Sequence, residues 1–127
     1  MRPRAVVCVL LIAAAWLAHD TAVAQSGSAC ESPAALSGVR NEIIKRGTND
    51  SGWVFRLGLN VPAFRMKDVK FDVEGVRTIG PWRRGTDCEI TLRMTTPVDV
   101  LAPNMVIAEF RYVVVPASGG GIEVELY

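Results

Sequence analysis

The chain is 127 residues long and half hydrophobic, and its 14 basic and 13 acidic residues leave a net charge of +1. So neutral a balance gives no long-range attraction to nucleic acid or to an anionic membrane surface, which argues against a nucleic-acid partner. The one histidine, His19, falls in the first twenty residues, so any domain that begins later is free of imidazole.

Those first residues read as a leader. Arg2 and Arg4 precede the apolar run Ala5–Ala18, which is too short to cross a bilayer comfortably, and Ala22-Val23-Ala24 supplies the small-x-small pattern of a cleavage site. The expectation is a signal peptide over residues 1–24 with cleavage before Gln25; an uncleaved anchor is the alternative. Cleavage removes Arg2, Arg4 and Asp20 and leaves basic and acidic residues equal in number. It also removes His19, and with it Ser-His-Asp and Cys-His catalysis and the usual imidazole sites for zinc and copper. The mature chain is therefore expected not to be an enzyme and to hold no cofactor or metal.

Cys8 leaves with the leader, so Cys30 and Cys88 remain in an oxidising compartment, where a disulfide between them is expected. It would close a loop 58 residues long, worth about 4 kcal/mol by loop entropy. The competing reading makes Cys30 the acylated residue of a lipoprotein; Gly27-Ser28-Ala29 lacks the large aliphatic residue such a site wants.

Beyond the leader, residues 25–35 read as a flexible lead-in and 36–127 as one domain. Ala34–Arg46 fits either a bulged strand or a turn of helix, and Gly38 favours strand. Gly47–Gly52 is turn-like in composition and contains the sequon Asn49-Asp50-Ser51. Trp53–Asn60 alternates, with Trp53, Phe55, Leu57 and Leu59 on one side, as a half-buried strand does. Lys67–Glu74 alternates likewise, with Val69, Phe71 and Val73 inward; Gly75 closes it, and Val76–Ile79 fits a short further strand. Gly80–Asp87 reads as a loop. Cys88–Thr95 is a strand with Cys88, Ile90, Leu92 and Met94 inward. Thr96–Asn104 is a loop in which Val98, Val100 and Leu101 are candidates for a hydrophobic plug. Met105–Val115 and Gly121–Tyr127 form a closing hairpin.

Strands in direct succession predict antiparallel pairing. The expected fold is all-β: an antiparallel β-sandwich of about seven strands, of the immunoglobulin-like or fibronectin-III-like class, with a small closed barrel as runner-up. Too few strands, and charge on most outward faces, argue against a transmembrane barrel.

The candidate binding residues are Trp82, Arg83 and Arg84, held between Gly80-Pro81 and Gly85. A tryptophan beside two arginines can stack on a ring, clamp an anion or anchor a protein interface; otherwise Trp82 caps the domain and the arginines are solvated. Lys45-Arg46-Gly47-Thr48 echoes Arg83-Arg84-Gly85-Thr86, and the two would make a joint basic rim if they shared an end. The carboxylate pairs Asp72/Glu74 and Glu123/Glu125 lie on strand faces rather than across a cleft, and Met66, Met94 and Met105 read as core filling. The resulting expectation is a small periplasmic or extracellular binding protein, an adaptor or accessory subunit of another envelope or extracellular protein, using the Trp82 loop or an exposed strand edge. A carbohydrate- or small-ligand-binding module built on Trp82 is the alternative.

Overall fold

The computed structural model describes residues 29–127; the expected signal peptide, its cleavage site and Gln25–Ser28 lie outside the described residues. A short 3-10 turn, Ala29–Glu31, leads into helix α1 (Pro33–Asn49) and helix α2 (Ser51–Leu57). A second 3-10 turn, Ala63–Asp68, precedes strands β1 (Lys70–Trp82), β2 (Gly85–Thr95), β3 (Met105–Pro116) and β4 (Ile122–Leu126). The strands form one open antiparallel sheet in the order β1-β2-β3-β4.

The antiparallel, β-rich character expected from the sequence is present, but the seven-strand sandwich is not: the described residues hold one four-stranded sheet with helices on one face. One segment read as a strand, and one that fitted either strand or helix with strand favoured, are helical. Ala34–Arg46 lies within α1, which starts with the Ser32 hydroxyl accepting a hydrogen bond from the Ala35 N–H at 3.1 Å and with Pro33 in the first turn. Ala35, Val39, Ile43 and Gly47 recur every fourth residue and are the buried stripe of that helix. Gly38, which suggested a strand, is a point of close approach, because a Cβ there would meet Val124 Cγ2 at 2.6 Å.

Trp53–Asn60 is mostly α2. The Asp50 carboxylate accepts from the Trp53 N–H at 3.0 Å at its start, and Gly58, at φ 84, ends it with an N–H donated to the Phe55 carbonyl. The alternation that suggested a strand fails at Phe55, which is 83% exposed, while Trp53 and Val54 are buried side by side. Trp53 does belong to the core as expected, 6.2 Å from Phe110.

On the inner face of the sheet, Cys88, Ile90, Leu92 and Met94 of β2 are buried as read from the sequence. Their cross-strand neighbours on β3 are Tyr112, Phe110, Ala108 and Val106. Helix α1 covers this face towards β4, through Gly38 and Val124, while Gly47 rests on Met66. The Cys30–Cys88 disulfide is formed, with 5.8 Å between Cα atoms and both residues fully buried. The Tyr112 hydroxyl donates to the Cys30 carbonyl at 2.7 Å, so the disulfide and one hydrogen bond pin the start of the domain to the sheet centre.

β1 does not close at Gly75. It runs on through Val76–Ile79 to Trp82, with register shifts at Glu74 and Ile79. The expected loop Gly80–Asp87 shrinks to Arg83-Arg84, since Trp82 pairs with Gly85. Of the three residues expected to form a hydrophobic plug only Val100 packs on the core, whereas Val98 and Leu101 are 91% and 94% exposed.

Candidate functional site

The three binding candidates stand together at the tip of the β1–β2 hairpin. Arg83 and Arg84 are its two turn residues, and Trp82 is the last residue of β1. A two-residue connection needs left-handed backbone, and Arg83 supplies it at φ 48. A non-glycine residue there carries roughly 1–2 kcal/mol of backbone strain. Its guanidinium lies 4.8 Å from the centre of the Trp82 ring, so part of that cost is offset by cation–π attraction. Both arginines are exposed, and among the described residues neither has a carboxylate partner within ion-pair distance.

Gly85 seats the tip on its neighbour. A Cβ at this position would strike the Val114 carbonyl and the Val115 side chain, so only glycine lets β2 leave the turn this close to β3. Beside it, Arg84, Thr86, Val115, Pro116 and Ile122, with Ala29, line a shallow groove of about 210 Å³. The tip is thus a protruding basic-aromatic knob with a largely apolar step at its foot.

Behind the tip, on the outer face of the sheet, Asp87 accepts two hydrogen bonds. One comes from Arg111 Nη2 at 2.7 Å and the other from the Tyr127 hydroxyl. The Arg111 guanidinium also lies 5.6 Å from the Tyr127 ring centre. The hydroxyl of Tyr127, and then Arg111, hold the Asp87 carboxyl below its ordinary range, and the bond to Asp87 pushes the Tyr127 hydroxyl up. Val113 and Val115 are buried on this same outer face, apart from the main core. This cluster ties β2, β3 and the chain end together directly behind the hairpin turn. It was not legible from the sequence, because Asp87 read as a loop residue and Tyr127 had no visible partner.

The two basic motifs do not form a joint rim. Gly47 packs on Met66, just before β1 begins, whereas Arg83 follows its end, a strand of 13 residues and about 40 Å away. Each motif nevertheless carries a stacked pair, since the Arg46 guanidinium lies 4.9 Å from the Trp53 ring centre.

The carboxylate pairs stay dispersed. Glu74 bonds Arg93 at 2.5 Å, Asp72 lies 3.8 Å from Lys70 Nζ, and Glu123 and Glu125 are exposed on β4. Met66 and Met94 fill the core, whereas Met105 is half exposed, against the core role expected for it. Among the described residues there is no group of three or more metal-binding side chains, and no helix is long and apolar enough to cross a membrane.

Away from the tip, Asn104 ties the β2–β3 loop to the end of α2. Its side chain accepts from the Asn60 N–H at 3.0 Å and donates to the Gly58 carbonyl at 2.8 Å. Arg65 forks onto Asp68 and Asp99, and these carboxylates push its already high pKa further up. That scaffold leaves Val98 and Leu101 in solvent, a feature the plug reading of the sequence missed. No known protein family, curated protein or solved structure matches this chain.

Proposed function

We propose that the protein is a small exported, non-enzymatic binding protein of the periplasm or cell exterior, an adaptor or accessory subunit that engages another envelope or extracellular protein through the Trp82-Arg83-Arg84 tip. The observation that carries this reading is the tip itself: an arginine held at φ 48 and stacked on a tryptophan at the end of a hairpin. Strain kept at an exposed position is compensated elsewhere and calls for a use there. Tryptophan and arginine are also the residues that dominate protein interfaces, and here Trp82 and Arg83 stand at the hairpin tip with Arg84 at the rim of the shallow groove.

A sugar would stack on an open ring face. Arg83 already lies over the Trp82 ring, which favours a protein partner over the carbohydrate reading. A partner of matching chemistry offers carboxylates to Arg83 and Arg84 and an apolar residue to the groove between Arg84 and Ile122. The buried disulfide suits an oxidising compartment.

The test uses the processed protein as bait in extracts of its native host, beside Trp82→Ala and Arg84→Glu. The expected result is one stoichiometric protein partner, whose affinity falls by about thirtyfold or more in either variant. A tryptophan-fluorescence response to oligosaccharides that is lost in Trp82→Ala, with no protein captured, would overturn the reading in favour of a sugar-binding module.

A further inference from the structure

The two edges of the sheet differ. β4 is five residues long, carries Glu123 and Glu125, and has α1 packed on its inner face at Val124, so its edge is short and charged. β1 is 13 residues long, pairs only with β2, and is exposed at most positions. Its inner side is incompletely covered: Phe71 is half-buried and Val73 is 47% exposed. Between β1 and α1 lies a groove of about 240 Å³ whose walls include Leu36, Arg40, Phe71 and Val73. An edge of this length with apolar side chains half in water is a place for another strand.

We infer that the strand it accepts is β1 of a second copy of this chain, joining two sheets into one antiparallel eight-stranded sheet. The occupant follows from the pattern of β1. Its register with β2 puts Phe71, Val73, Val76 and Thr78 on the inner face, opposite Met94, Leu92, Ile90 and Cys88, and Asp72 and Arg77 on the outer face, with the shift at Glu74 between the two sets. One antiparallel alignment of two copies keeps both faces matched. It sets Val73 against Val76, Phe71 against Thr78 and Asp72 against Arg77, each twice, with the Glu74-Gly75 irregularities facing each other.

The charges agree with that alignment. Within one copy Asp72 lies beside Arg93, and Arg77 bonds Glu89 at 2.9 Å, with Arg111 the next neighbour of Glu89 on β3. Across the joined sheet the outer row becomes Arg111, Glu89, Arg77 of one copy, then Asp72 and Arg93 of the other, alternating in sign throughout. Opposite charges directly across strands stabilise and like charges destabilise. A guanidinium has five donors, so Arg77 serves Glu89 and the second copy's Asp72 together. This pairing uses β1 and leaves both hairpin tips free, so it is independent of the tip's own partner.

Sedimentation equilibrium of the purified, processed protein tests it, with Asp72→Arg and Arg77→Asp as variants and circular dichroism to show that each is folded. The parent is expected to dimerise reversibly. Each variant alone sets like charges opposite each other twice and is expected to raise the dimer dissociation constant about tenfold or more. Mixing the two variants restores opposite charges at both positions and is expected to return a heterodimer of near-parental affinity. Should either variant fail to fold, protection of β1 amides from hydrogen exchange that grows with parent concentration gives the same reading. A parent that stays monomeric at millimolar concentration overturns the inference, as do variants that dimerise undiminished or that fail to pair when mixed. None of these outcomes bears on capture of a partner by the tip.

Discussion

Gly38→Ala is expected to destabilise the protein even though it replaces glycine with the best helix former in the middle of a 17-residue helix. Propensity alone would favour the substitution by about 1 kcal/mol. Against this, the new methyl would stand 2.6 Å from Val124 Cγ2 and 3.0 Å from Val124 Cβ. Valine is branched at Cβ and held in β4, so neither atom can swing aside, and α1 must lift from the sheet. Overpacking of this kind costs about 2–3 kcal/mol, which leaves a net loss of about 1–2 kcal/mol. For a domain of this size the thermal midpoint drops by about 5–10 °C. Urea unfolding of Gly38→Ala, Val124→Ala and the double variant isolates the cause. In the Val124→Ala background the Cγ2 contact is gone and only the 3.0 Å approach to Cβ remains, so Gly38→Ala should lose most of its cost, with a coupling of about 1–2 kcal/mol. A single Gly38→Ala variant more stable than the parent would refute the packing of α1 on β4.

Replacing both Cys30 and Cys88 by serine removes a closed loop of 58 residues and should cost about 4 kcal/mol, read as a lower urea midpoint or as an unfolded chain by circular dichroism. Arg83→Gly relieves the left-handed strain and should raise stability by about 0.5–1 kcal/mol in urea while weakening partner binding, the mark of a residue kept for function. Both tyrosines should resist ionisation in the native state. Tyr112 is pushed up to about 12 by burial, and Tyr127 is pushed up by its bond to Asp87. A raised folded pKa means stability that is complete below pH 10 and is lost as pH climbs towards 12. Tyrosinate absorbance should therefore rise later in native protein than in denatured protein; coincident titrations would contradict the burial of Tyr112. The Asp87 carboxyl acts at the other end of the scale. Its depressed pKa stabilises above the ordinary carboxylate range, and that contribution disappears as pH falls below it.

The strands of the second half were legible because their period-two pattern coincides with the inner face of the sheet: Cys88, Ile90, Leu92 and Met94 read in order and are buried in order. The disulfide was legible from counting thiols outside the expected leader. The helices were not. Trp53, Phe55, Leu57 and Leu59 alternate, but a seven-residue segment is too short to separate periods, and the deciding signals were the caps at Asp50 and Gly58. In α1 the stripe Ala35-Val39-Ile43-Gly47 was hidden because two of its members are small, and Gly38 misled because glycine serves close packing there rather than a break. The sandwich expectation followed from those two errors, since helices counted as strands supplied a second sheet. At the candidate site, Trp82, Arg83 and Arg84 were found by residue type. Their stacking and the left-handed turn depend on strand register, which the bulges at Glu74 and Ile79 shift in a way local sequence does not disclose.

The most direct measurement of whether the hairpin tip makes the working contact is site-specific photocrosslinking in the native host, with a photoreactive side chain introduced at Arg84 and, as a control, at Val98 in the β2–β3 loop. A single discrete adduct from position 84, absent from position 98 and lost when Trp82→Ala is added, is the predicted result. Adducts from position 98 with none from position 84 would move the contact away from the tip and contradict the account.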